Sequence, residues 1–247
     1  MFQYYRFFSI EDTASAVQWF QKTADGLKGT ILIAPEGINL SVAGEDEAIE
    51  RFIERLQDGP CPPDPDGVSR SFPVDFLPYR RLRIRERPEI ISFRQRVDTS
   101  LNRGRYLMPH EFHERMKRGE VIPVDTRNRY ESRIGTFRGA VILPLDSFSE
   151  LPEHLHLLEP YREKEIVTFC TGGVRCEKVV PFLLSKGFNR VWQIRGGIQD
   201  YISQFPDGFF EGECFVFDDR YSILPDGSTG TMSQASSFRS VSSNPQG

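Results

Sequence analysis

The residues of this chain best suited to chemistry are Cys170 and the short segment that follows it to Arg175. Ile166-Val167-Thr168-Phe169 is apolar and β-branched, as a buried strand is. Gly172 and Gly173 then break the run, and a segment with helical spacing follows from Glu177. This order places Cys170 at the carboxyl end of a strand and beneath a helix start, where unpaired backbone N–H groups and the helix dipole favour an anion. The nearest candidate anion is the cysteine sulfur, so the thiol is expected to be acidified and nucleophilic. Cys170 would otherwise be a small apolar residue ending a strand; the glycines, Arg175 and the helix at these offsets favour the reactive reading. That reading requires the sulfur to be reachable from a cavity.

Loop size narrows the chemistry. Four residues, Thr171, Gly172, Gly173 and Val174, separate Cys170 from Arg175. This is one fewer than in the cysteine phosphatase loop that holds a phosphate, and the tighter ring suits a persulfide. Cys61, Cys170, Cys176 and Cys214 are expected to be reduced, because Met1 to Ile10 lacks the basic-then-apolar layout of a signal peptide. Cys176 is read either as a resolving thiol or as a packing residue. No second cysteine pair completes a zinc site, and His110 with His113 is one residue short of the two-histidine zinc pattern. The four histidines are therefore read as surface or packing residues, and no metal, flavin, haem or non-haem iron site is expected. No run approaches the ~20 apolar residues of a membrane span, so the chain is expected to be cytoplasmic.

Elements that must position the loop can be traced in order. A strand over Tyr4 to Phe8 and an amphipathic helix over Glu11 to Asp25 come first. Two strands joined by Pro35-Glu36-Gly37 and a helix from Glu45 to Gln57 follow. Strand material is expected at Phe72 to Leu77 and Arg81 to Phe93. The order β-α-β-β-α-β is that of a ferredoxin-like, acylphosphatase-like α+β domain over residues 1–95. Beyond it, a helix over Pro109 to Lys117 precedes strands at Val121 to Asp125, Ile166 to Phe169 and Arg190 to Ile194. These predict a parallel α/β domain over 96–221 with ligands at the strands' carboxyl ends. Asp125 and Arg127 are read as a structural clamp there. Residues 222–247, rich in Ser, Gly, Pro and Gln, are expected to form a disordered tail.

The chain's net charge of −4 argues against wholesale nucleic-acid binding, but charge is unevenly spread. Between Tyr79 and Tyr106 lie nine arginines and three acidic residues, a local balance of +6. Alternation over Arg81-Leu82-Arg83-Ile84-Arg85 turns Leu82 and Ile84 one way and the guanidiniums the other. With Arg80 and Arg87 this ridge is a candidate RNA phosphate contact, or else a charged edge that resists aggregation. Glu36 and Asn39 are candidates for a substrate-facing loop, or for turn hydrogen bonds alone.

Together, Asp125-Thr126-Arg127-Asn128, Cys170 to Arg175, and Gly187-Phe188 leading to Val191 and Gly196-Gly197-Ile198 resemble a rhodanese domain. Cys170 to Lys178, Asp125 to Glu131, Glu36 to Asn39 and Phe215 to Arg220 more specifically resemble the tRNA wobble-uridine hydroxylase family, over roughly residues 1–220. The resemblance implies oxygen-dependent conversion of the tRNA wobble uridine to 5-hydroxyuridine, with Cys170 required, dioxygen as co-substrate and tRNA as partner. No cofactor is implied, and neither electron donor nor oligomeric state is indicated; DNA is not an expected partner. Leu40-Ser41 departs from the family's usual Gly-Thr, and no cysteine follows Cys214. The competing readings are a sulfurtransferase working through a Cys170 persulfide and a non-catalytic RNA-binding module.

Overall fold

A computed structural model describes residues 1–63, 67–102 and 105–231. The first domain runs β1 (Phe2–Phe7), α1 (Thr13–Thr23), β2 (Lys28–Ala34), β3 (Gly37–Ala43), α2 (Asp46–Gln57), β4 (Val68–Ser71) and β5 (Leu82–Glu86). Its sheet has the order β4-β1-β3-β2-β5, antiparallel except where β5 joins β2. The first four strands thus form the split βαβ arrangement, with β5 added at the edge. Period two sorts the sheet's faces: Phe2, Tyr4, Ile31, Ile33, Leu40 and Val42 pack with Phe20 of α1 and Phe52 of α2. The opposite face carries no helix of this domain and is left for the second domain.

The second domain continues with β6 (Tyr106–Leu107), α3 (Pro109–Lys117), β7 (Ile122–Asp125), α4 (Arg129–Ser132), β8 (Gly135–Phe137) and β9 (Val141–Ile142). A long 3-10 segment, Phe148–Tyr161, leads to β10 (Ile166–Phe169), α5 (Cys176–Ser185), β11 (Val191–Ile194) and α6 (Gly197–Gln204). Short strands β12 (Phe210–Gly212), β13 (Cys214–Phe215) and β14 (Ser222–Ile223) finish it. The main sheet, β6-β11-β10-β7-β9, is parallel throughout. β10 lies at its centre, buried along its whole length, which is why it reads as an uninterrupted apolar run.

Several expectations shift. The fourth strand of the first domain is Val68–Ser71, not Phe72 to Leu77, because the run that pairs with β1 starts directly after the proline-rich linker. Strand β5 stops at Glu86, ahead of Pro88, which has no N–H for a ladder. Ile91, Phe93 and Val97 pack in the second domain's core, so the chain crosses over before residue 95. The disordered tail does not begin at 222. Ser222 and Ile223 pair with Phe215 and Cys214, and Ile223 bridges to Thr229, since Ile223 is an apolar side chain with a buried place to go. The rest of that expected tail, 232–247, lies outside the described residues.

Candidate active site

The cysteine loop is shaped by what crowds it. Gly173 has φ +101, and a Cβ there would stand 2.6 Å from the Tyr5 hydroxyl, so only glycine lets the first domain approach the loop this closely. Gly197, at φ +66, has no room for a Cβ either, since one would lie 2.4 Å from the Cys170 carbonyl. The start of α6 therefore seats directly on the loop: Ile198 and Gln199 donate their amides to the carbonyls of Cys170 and Thr171 at 3.0 and 3.1 Å. These contacts use the orphan N–H groups of a helix start to fix the loop from behind.

Opposing forces act on the Cys170 sulfur. Burial pushes the thiol up, because a thiolate is disfavoured away from water. The Cys176 thiol, the Arg175 guanidinium and the amides of Arg175 and Gly173 together overcome this and bring it down to about 6. The Gly173 N–H donates to Sγ at 3.1 Å. Cys176 is the first residue of α5 rather than one turn into it, which brings its thiol beside Cys170; burial and the neighbouring sulfur push its own titration up. Cys170 is 1% exposed but is not sealed, because it lines a cavity of about 460 Å³ between the two domains.

The helix-free face of the first sheet supplies the opposite wall. Register places Arg70, Gln3, Ser41, Thr30 and Arg83 in one row across all five strands, with Tyr5, Asn39, Leu32 and Arg85 in the next. Asn39, Ser41, Thr30 and Tyr5 line the cavity with Cys170, Thr171, Gly172, Val174 and Arg175. Arg83 joins Arg80 and Arg81 in an adjoining groove of about 520 Å³, which shares Tyr79, Thr30 and Phe217 with the cavity. The exposed arginine edge thus borders the cysteine cleft.

Other charged residues hold this arrangement. Arg127 makes a two-pronged pair with Asp125 at 2.9 and 2.7 Å, both fully buried and away from the cavity lining, so they brace the end of β7. Arg175 sends its guanidinium out of the loop to Glu131 at 2.7 and 2.6 Å. Glu36 does not line the cavity. It pairs with Lys178 of α5 at 2.8 Å and accepts the Ile90 amide at 2.8 Å, so it fastens the two domains. Lys178 also meets Glu89 at 3.2 Å, while Glu177 accepts from Tyr5, Asn102, Tyr106 and Gln193. Burial pushes the Glu177 carboxyl up.

Glu131, Glu177 and Lys178 escaped the residue-by-residue reading. Glu131 carried a usable signal: three residues after Asn128 at the start of α4, it accepts the Asn128 backbone N–H at 3.1 Å, which fixes the carboxylate that Arg175 meets. Glu177 and Lys178 gave none, since two charges in a helix's first turn ordinarily face water.

A family model described as the UPF0176 acylphosphatase like domain matches residues 1–90, and one for the rhodanese-like domain matches 108–204. A protein of Synechococcus elongatus named tRNA uridine(34) hydroxylase is 36% identical over 229 residues, covering 90% of this chain and 84% of that one. Proteins of the same name from Picosynechococcus and Acinetobacter baylyi are 37% and 38% identical, covering 89% and 87% of this chain and 75% and 70% of theirs.

Proposed function

The chain belongs to the tRNA uridine(34) hydroxylase family, an oxidoreductase acting on tRNA, and from this we propose that the uracil base enters the interdomain cleft above Cys170. The reaction we assign consumes dioxygen: uridine, O2, two electrons and two protons give 5-hydroxyuridine and water. Within it the Cys170 thiolate adds to C6 of the ring, the displaced electron pair enriches C5, which receives oxygen, and loss of the C5 proton then expels the thiolate and restores the C5–C6 double bond. Asn39 and Ser41 offer amide and hydroxyl groups to the polar edge of the base, and Arg80, Arg81 and Arg83 receive the adjoining phosphates. The substrate implies action in the cytoplasm.

One observation carries this reading: an acidified thiol lines a cavity of about 460 Å³, roomy enough for a pyrimidine base, that opens beside an arginine edge. It also rests on the neighbouring domain supplying polar groups to that cavity, which a small sulfur acceptor would not need. The test compares 5-hydroxyuridine in tRNA from cells carrying the wild-type protein, Cys170→Ala, or neither. Hydroxylation through Cys170 requires the wild type alone to contain the modification. Equal levels in all three, with a persulfide on Cys170 by mass spectrometry, would assign sulfur transfer instead.

A further inference from the structure

Phe217 is 62% exposed, the highest value among the large apolar side chains of the described residues. It is nonetheless held firmly. Its ring stands edge-on to Phe215 at 5.1 Å, and Phe215 is edge-on to Tyr130 at 5.2 Å. The Arg175 guanidinium lies 5.5 Å from the Phe217 ring centre. The backbone on either side is pinned, with Val216 donating to the Tyr221 carbonyl at 2.9 Å and Asp219 to Pro78 at 2.9 Å. Thr171 of the cysteine loop donates its hydroxyl to the Phe215 carbonyl at 3.2 Å, which ties the aromatic segment to the catalytic loop.

Position gives this exposed ring its meaning. Phe217 lines both the Cys170 cavity and the adjoining groove that Arg80, Arg81 and Arg83 border. The two acids in that groove are engaged: Asp218 with Arg220 at 2.8 and 2.6 Å, Asp219 with Arg80 at 3.7 Å. A flat apolar surface, backed by a guanidinium and standing between the Cys170 cavity and a cationic groove, fits a nucleobase of single-stranded RNA. A uridine that turns into the cavity leaves its neighbour without a stacking partner.

We propose that Phe217, backed by Phe215 and Tyr130, is a stacking plate for the base next to the target uridine. This rests on the uridine entering the Cys170 cleft. The plate binds a base without reading its hydrogen-bonding edge, because every base has a π-face. It therefore contributes affinity and holds the uridine out of its stack, while discrimination is left to the cavity.

The test uses the full chain and an anticodon stem-loop RNA, intact or with an abasic site at each position flanking the uridine in turn. Binding is read by fluorescence anisotropy. Phe217→Ala is expected to weaken binding of the intact RNA by about 5- to 150-fold, the range for loss of one base–aromatic stack. Phe217→Trp should restore it. An abasic site at the stacked position should weaken the wild type by a similar factor and leave Phe217→Ala unaffected. Unchanged binding by Phe217→Ala, or equal abasic losses in both proteins, would overturn the proposal. Binding is measured without turnover, so a failure of stacking and a failure to form 5-hydroxyuridine are separate results.

Discussion

Replacing Cys176 by alanine removes the group that does most to stabilise the Cys170 thiolate against the cost of burial. A hydrogen bond to a charged partner contributes roughly 1.5–3 kcal/mol, which corresponds to a rise of about 1–2 pH units in the thiol's midpoint. Starting from a midpoint of about 6, the variant should titrate near 7–8, roughly. At neutral pH the ionised fraction would fall from about nine-tenths to between about a half and a tenth. Cys176→Ser keeps a donor at the first residue of α5 and should hold the midpoint near the wild-type value. Thiolate absorbance near 240 nm, followed against pH, reads this directly. Burial pushes Cys61 and Cys214 up to about 12 and raises Cys176 as well, so Cys170 is the one cysteine that titrates in the neutral range. A midpoint unmoved by Cys176→Ala, or a wild-type protein with no thiolate below pH ~8, would show that Cys176 does not stabilise a Cys170 thiolate.

Glu131→Ala leaves the buried Arg175 guanidinium without its carboxylate and should cost about 3–5 kcal/mol in denaturant unfolding; a loss below ~1 kcal/mol would show that water replaces the pair. Arg81→Glu, Arg83→Glu and Arg85→Glu together should weaken tRNA binding and flatten its salt dependence by roughly one unit of slope for each phosphate no longer neutralised. Unchanged affinity at low and high salt would remove the arginine edge from the RNA path. Lys178→Met breaks the ties from α5 to Glu36 and Glu89, and should speed proteolysis of the connector between the domains while each core stays folded. Cleavage no faster than in the wild type would show that the domains are held by other contacts.

The cysteine loop was legible because its chemistry is local. A central parallel strand is buried on both faces, the glycines mark where the chain turns, and the helix start supplies the amides. The first domain was legible for a related reason: alternating apolar residues fix which face meets α1 and α2. What could not be read was the contact between the domains. Tyr5, Glu36, Arg70, Glu177 and Lys178 are ordinary surface residue types, and only the contact between the domains gives them their partners, with Glu36 and Arg70 left half-buried. Arg70 illustrates this. It sits on the short strand β4, yet reaches Asp200, Gln199 and the Gly196 carbonyl at 2.6–2.8 Å, a pairing across more than a hundred residues that no local pattern announces. Glu36 was misplaced for the same reason, since a polar turn residue looks alike whether it faces substrate or a partner lysine. Strand β14 was missed because two residues are too short a run to register against a Ser- and Gly-rich background.

In the proposed reaction a Cys170 thiolate meets the ring of the target uridine in the interdomain cleft. Anticodon stem-loop RNA carrying 5-fluorouridine at that position tests it, because the electron-withdrawing fluorine favours addition of a thiolate at C6 and leaves C5 without the proton whose loss would complete turnover and expel the thiolate. The expected result is a denaturation-resistant protein–RNA species whose attachment maps to Cys170, formed faster as pH rises through about 6 and absent in Cys170→Ser. No adduct under any condition, or attachment at another residue, would contradict it.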